Sequence, residues 1–164
     1  LVYVDPVPSS DQLIDTAENT HSGSGASPVK NYHRVRNLND PSDPMIESYT
    51  NILNIIEQQT LGRSLLDIGC GEGTFSAVAT RRGWSVKALD ASATATNTAR
   101  NQYNLDVITS IFPSKHSLDS QLFDAIVMLD VLEHIPNPVD AITVARNLLK
   151  NGGVLYINSP NHES

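Results

Sequence analysis

Residues 65–73 read Leu65-Leu66-Asp67-Ile68-Gly69-Cys70-Gly71-Glu72-Gly73, an apolar run that breaks into three glycines at alternate positions. A short apolar run bounded by turn residues reads as a buried strand. The glycines after it form a bend whose backbone can approach a ligand closely, because no Cβ stands in the way. A helical pattern, Thr74 to Arg82, follows the bend. The spacing then discriminates between ligands. A dinucleotide fingerprint, G-x-G-x-x-G, would place its third glycine at position 74, but Thr74 stands there and the glycine comes one residue early. Asp67, just ahead of the glycines, would repel a pyrophosphate and suits a cationic ligand group. Phosphate cradling is disfavoured, and a nucleotide-dependent oxidoreductase is kept only as an alternative.

Trp84 to Leu89 supplies the next strand, and Asp90 ends it with a second carboxylate. An ionised carboxylate only accepts hydrogen bonds and can take two vicinal hydroxyls at once. On these residues, 64–91 resemble motif I and its continuation in class I S-adenosylmethionine-dependent methyltransferases, an acid followed by G-x-G-x-G and a second acid after the next strand. The resemblance covers about residues 45–161. It implies a Rossmann-like, doubly wound, mostly parallel α/β sheet in the order 3-2-1-4-5, with the glycine bend at the central switch point. It also implies that the bend, with Asp67, Gly69, Cys70 and Gly71, lies under the methionine part of S-adenosyl-L-methionine. Asp90 then takes the ribose hydroxyls, and adenine meets Ala91 with Ser110 and Ile111 after the third strand. The family's acidic residue after that third strand is not evident here.

The rest of the chain fits one such domain, spanning 44–164. Asp43 and Pro44 read as N-cap and first residue of a helix carrying Met45, Ile46, Tyr49, Ile52, Leu53 and Ile56 on one face, closed by Gly62. Strands are expected over 64–68, 84–89, 105–109, 123–129 and 153–158, with helices over 74–82, 92–101 and 138–149. Asn151-Gly152-Gly153 is expected to stop the last helix. Alternation of this kind argues a parallel sheet covered on both faces. Trp84 reads as core or flank. Residues 1–43 form a loop-rich segment. Its opening, Leu1 to Ser9, reads either as a short edge strand stopped by Pro6 and Pro8, or as a segment that in some bacterial relatives follows a cysteine pair. Family members continue past the fifth strand into a helix and two antiparallel strands, so a C-terminal portion is expected beyond Ser164. The fifth strand is otherwise an open edge, which favours homo-oligomerisation.

Phe123 to His134 resembles the family's fourth strand and the loop that lines the reaction space, so Leu129 joins the cofactor residues and His134 becomes the candidate base. A hydroxyl acceptor must lose its proton as the new bond forms, and a histidine titrating near neutrality suits that task. Asp130, Glu133 and His134 also resemble a cluster by which some O-methyltransferases hold a divalent cation, with His162 as a further ligand. The alternative is that Glu133 and His134 only cap the turn before Pro136. His33 is weighed as a residue closing over the cofactor against an exposed loop position.

Composition narrows the partners. The net charge is −7, and basic residues occur only in small pairs, so a nucleic-acid substrate is not expected. No apolar run approaches membrane-spanning length and nothing resembles a signal peptide, so no membrane partner and a cytoplasmic location are expected. Cys70 is the one cysteine, which excludes an internal disulfide. The expected activity is methylation of a small molecule at oxygen. A catalytically silent cofactor-binding or scaffold domain is the second alternative.

Overall fold

The computed structural model describes residues 36–160, apart from positions 41, 114–117 and 119–120, together with Ile14, Asp15 and Glu18. The Leu1 to Ser9 segment, His33 and His162 lie outside the described residues. Helix α1 (Pro44–Gln59) leads into β1 (Ser64–Ile68), α2 (Thr74–Arg81), β2 (Ser85–Asp90), α3 (Ala93–Tyr103) and β3 (Val107–Thr109). Then come β4 (Phe123–Leu129), a 3-10 turn at Leu132–His134, α4 (Pro138–Asn147) and β5 (Leu149–Asn158). The five strands form one sheet in the order β3-β2-β1-β4-β5, and every pairing is parallel. This is the expected Rossmann-like doubly wound architecture.

Strand alternation sends neighbouring side chains to opposite faces. On one face Leu65 and Val127 pack with Leu53, Ile56, Phe75 and Val78 from α1 and α2. On the other, Leu66, Ile68, Ile126 and Met128 pack with Ala141 and Ala145 of α4. Both central strands are thus covered on both sides, which is why they read as continuous apolar runs. Asp67 shares the face of Leu65 and so points toward α1 and α2.

Helix α1 starts as the sequence indicates, with Asp43 Oδ1 accepting from the Met45 N–H at 2.9 Å and Pro44 in the first turn. Its end differs. The cap is Thr60, whose N–H donates to the Ile56 carbonyl, and Gly62 lies beyond in the link to β1. Glycine is needed there for another reason, since a Cβ at position 62 would overlap the Asp124 carboxylate. Smaller shifts move β2 onto Ser85–Asp90, extend α3 to Tyr103 and shorten β3 to Val107–Thr109.

The larger correction concerns β5. Helix α4 stops at Asn147, and the strand begins at Leu149, not 153. Asn151-Gly152-Gly153 does not cap the helix. It lies in an irregularity where the register jumps from Phe123↔Leu149 to Ala125↔Val154. The bulge carries Lys150, whose Nζ donates to Asp124 Oδ2 at 2.9 Å and to Ser64 Oγ at 3.0 Å. Trp84 is core, 3% exposed, and its indole N–H donates to Glu57.

Candidate functional site

The chain runs from β1 outward through β2 to β3, then crosses back to place β4 on the other side of β1. Ligands of open α/β sheets bind in the crevice at the carboxyl ends of the strands where this reversal occurs. Asp67, the glycine bend, Asp90 and the Leu129–His134 loop all lie at those ends.

Asp67 is 2% exposed, and Oδ2 accepts from Ser76 Oγ at 2.6 Å. Burial pushes its carboxyl up to about 7; the Ser76 hydrogen bond opposes this and the charge of Asp90 adds to it. At Gly69 the backbone adopts φ +74°, and a Cβ there would collide with the Val131 side chain. The Gly69 and Cys70 N–H groups both donate to the Leu89 carbonyl, folding the bend against β2. Gly73, at φ +83°, lets α2 pack on α3, since a Cβ would stand 2.8 Å from that of Ala99. These two positions explain why the bend is built from glycine.

Asp90 is joined to the bend directly. Its Oδ2 accepts from the Gly71 N–H at 2.8 Å and its Oδ1 from the Ser92 N–H at 2.8 Å. Two backbone donors fix the carboxylate, which keeps capacity for further hydrogen bonds. Cys70 packs with Ala77, Ala88, Ala99 and Leu105, and burial pushes its thiol well up, reinforced by Asp67 and Asp90. It is a packing residue in this bend rather than a nucleophile.

Ala91 and Ser92 lead from Asp90 into α3, and Ser110 is bonded to the same strand end, its N–H donating to the Asp90 carbonyl at 2.9 Å. Ala91, Ser110 and Ile111 are all half-buried. A residue unmarked by the sequence pattern also reaches the start of α3. Glu18 Oε1 accepts from the Ala93 N–H at 2.5 Å, at the first turn of α3.

Across the crevice, Leu129 ends β4 and packs against the α1 side of the core. Asp130 follows at φ +54°, a left-handed conformation rare outside glycine, with its N–H pinned to the Asn158 carbonyl at 2.9 Å. Its carboxyl is held above the ordinary range, first by partial loss of hydration and then by Glu133, against an opposing pull from His134. His134 is exposed at the end of the 3-10 turn. Glu133 accepts from Ser159 Oγ at 3.0 Å. Among the described residues no three His, Cys, Asp or Glu side chains converge in a way that could hold a metal ion, so Asp130, Glu133 and His134 are not gathered as a ligand set.

Tyr49 packs close to the site and was legible in the sequence only as one member of an apolar stripe. Its ring meets Phe75 edge-on at 5.4 Å between centroids, and burial pushes its phenol up to about 12, with Asp67 and Asp130 adding to the rise and Arg36 opposing it. Beside the crevice, a groove of about 420 Å³ runs between α1 and β5, lined by residues including Glu47, Asn51, Tyr156 and Asn158. It contains neither the bend nor the two acids. Among the described residues no helix is long and apolar enough to cross a membrane.

The sequence profile of a family described as "Methyltransferase domain" matches residues 33–164. The ubiquinone biosynthesis O-methyltransferase of Glaesserella parasuis serovar 5 (strain SH0165) is 37% identical over 109 residues, 61% of this chain and 46% of that protein. The enzyme of the same name from Coxiella burnetii (strain Dugway 5J108-111) is 33% identical over 115 residues, 66% of this chain and 49% of that protein. The chain thus spans about half the length of these curated relatives. Among solved structures, the plantazolicin methyltransferase BpumL, in complex with a triazolic desmethylPZN analog and SAH, superposes with a TM-score of 0.68 at 18% identity, covering 94% of this chain and 62% of that one. The N-methyltransferase NodS of Bradyrhizobium japonicum WM9, in complex with S-adenosyl-l-homocysteine, gives a TM-score of 0.65 at 19% identity, over 88% of this chain and 71% of that one. These two structures share its fold.

Proposed function

The chain belongs to the methyltransferase-domain family, and from that premise we propose that it binds S-adenosylmethionine at the Gly69–Gly73 bend and methylates a small-molecule acceptor at a hydroxyl oxygen. The observation that carries this reading is the bond between the Gly71 N–H and Asp90, which ties the second acid to the bend. It leaves the Asp90 carboxylate room for two more hydrogen bonds, as a ribose diol requires. The bend itself fits the group, because Gly69 and Gly71 turn the backbone through φ +74° and +53° at the strand ends and put no side chain there. Asp67 places a buried carboxyl beneath a ligand that carries positive charge.

When bound, S-adenosylmethionine would supply an electrophilic methyl group for displacement from its sulfur by a lone pair of the acceptor oxygen. The protein's own work is positioning and proton removal. Gly69, Cys70 and Gly71 support the methionine portion, Asp90 holds the ribose, and Ala91, Ser110 and Ile111 line the adenine side. Leu129 closes the crevice toward β4. His134, exposed at the acceptor side, takes the acceptor's proton. The O-methyltransferase relatives support oxygen as the acceptor atom.

Calorimetry tests the reading. S-adenosylmethionine and S-adenosylhomocysteine should bind and NADH should not; binding of NADH alone would restore the oxidoreductase alternative. Asp90→Ala should lower cofactor affinity by about 1.5–3 kcal/mol, the range for a hydrogen bond to a charged group. His134→Ala should keep that affinity and lose turnover, and full turnover would move the base elsewhere.

A further inference from the structure

Helix α1 runs against the strands, because its C-terminal end feeds the start of β1; its first turns share a groove with Asn158, the last residue of β5. Tyr49 is in those turns. Its ring is edge-on to Phe75, the second residue of the helix that the glycine bend opens, and it packs in the same cluster as Leu129, the last residue of β4. Its hydroxyl makes no hydrogen bond among the described residues, and the oxygen is not sealed from solvent. A largely buried tyrosine ordinarily finds a partner for its O–H. Here the ring is anchored on Phe75, the oxygen is left without a partner among the described residues, and the charges of Asp67 and Asp130 both reach it.

We propose that the Tyr49 hydroxyl oxygen contacts the sulfonium end of bound S-adenosylmethionine and makes the site prefer the charged donor over the neutral thioether product. The inference rests on the cofactor reading above and adds a residue to it. Carbon atoms next to a positive sulfur carry polarised C–H groups, and a phenol oxygen accepts from them. The same carbons beside a thioether are far less polarised, and the methyl group is gone. The burial and neighbouring carboxylates that hold the phenol protonated make Tyr49 a neutral acceptor rather than a base.

Tyr49→Phe removes one oxygen and keeps the ring against Phe75. Dissociation constants for S-adenosylmethionine and S-adenosylhomocysteine are measured by calorimetry on the full chain, wild type and variant, with the thermal midpoint as a check on the fold. The expected result is a loss of about two- to fivefold in affinity for S-adenosylmethionine, with affinity for S-adenosylhomocysteine unchanged. A merely structural Tyr49 would weaken both ligands by the same factor or neither, and either outcome overturns the proposal. If the wild-type chain binds neither ligand, the cofactor reading itself fails and this inference falls with it.

Discussion

At Asp67 the fold holds a carboxyl on a fully covered strand with the Ser76 hydroxyl as its hydrogen-bond donor, and burial together with Asp90 lifts its titration to about 7. A carboxyl whose folded value lies above its ordinary value favours the folded state when protonated. That contribution is complete below 3.8 and is lost as pH rises through about 7. Thermal unfolding of the ligand-free protein should therefore show a midpoint that declines between roughly pH 4 and pH 8. Asp67→Asn keeps the shape and the Ser76 contact, so its midpoint should stay flatter across the same interval; parallel curves would refute the assignment. The position and type of Asp67, Gly69, Gly71 and Asp90 were legible because the backbone demands of the bend restrict which residues can stand there. Tyr49 was not. An apolar stripe tells which face of a helix is buried, but not that a residue of that face shares a cluster with Leu129, eighty residues later in the chain.

Among the elements, α1 shows what local signals do well. The pair Asp43-Pro44 marks its start, and the structure adds Arg36, whose Nη1 lies 2.6 Å from Asp43 Oδ2 with both side chains 7% exposed. One carboxylate thus caps the helix and neutralises a buried guanidinium, so Asp43→Ala should cost about 3–5 kcal/mol in urea unfolding, the range for breaking a buried pair. A loss no greater than that of an ordinary cap, about 1 kcal/mol, would show that the ion pair adds nothing. The start of β5 was misread for a physical reason. Asn-Gly-Gly looks like a helix stop, because its glycines enter left-handed conformations, and Gly152 does adopt φ +77°. The same freedom serves a strand irregularity equally well, and only the register with β4 distinguishes the two.

For the molecule as a whole, the amino ends of three strands meet at Asp124. Its Oδ2 accepts from the N–H and hydroxyl of Ser64 on β1 and from Lys150 on β5. Burial alone would raise the carboxyl, but the Ser64 and Lys150 hydrogen bonds outweigh it and hold the group down to about 2. The sign is opposite to that of Asp67: stability from Asp124 is present above 3.8 and is lost as pH falls toward about 2. Asp124→Asn should lower the neutral plateau of the unfolding curve and flatten its acid side, and an unchanged acid side would overturn the assignment. Strand β5 has β4 as its one strand neighbour among the described residues, and it is only half-buried along most of its length. Its outer ladder of amides and carbonyls looks sideways, in the plane of the sheet, whereas the crevice opens along the strand axis. Lateral joining and solute entry therefore use perpendicular directions, and a sheet extended across that flank would keep every crevice open to diffusion.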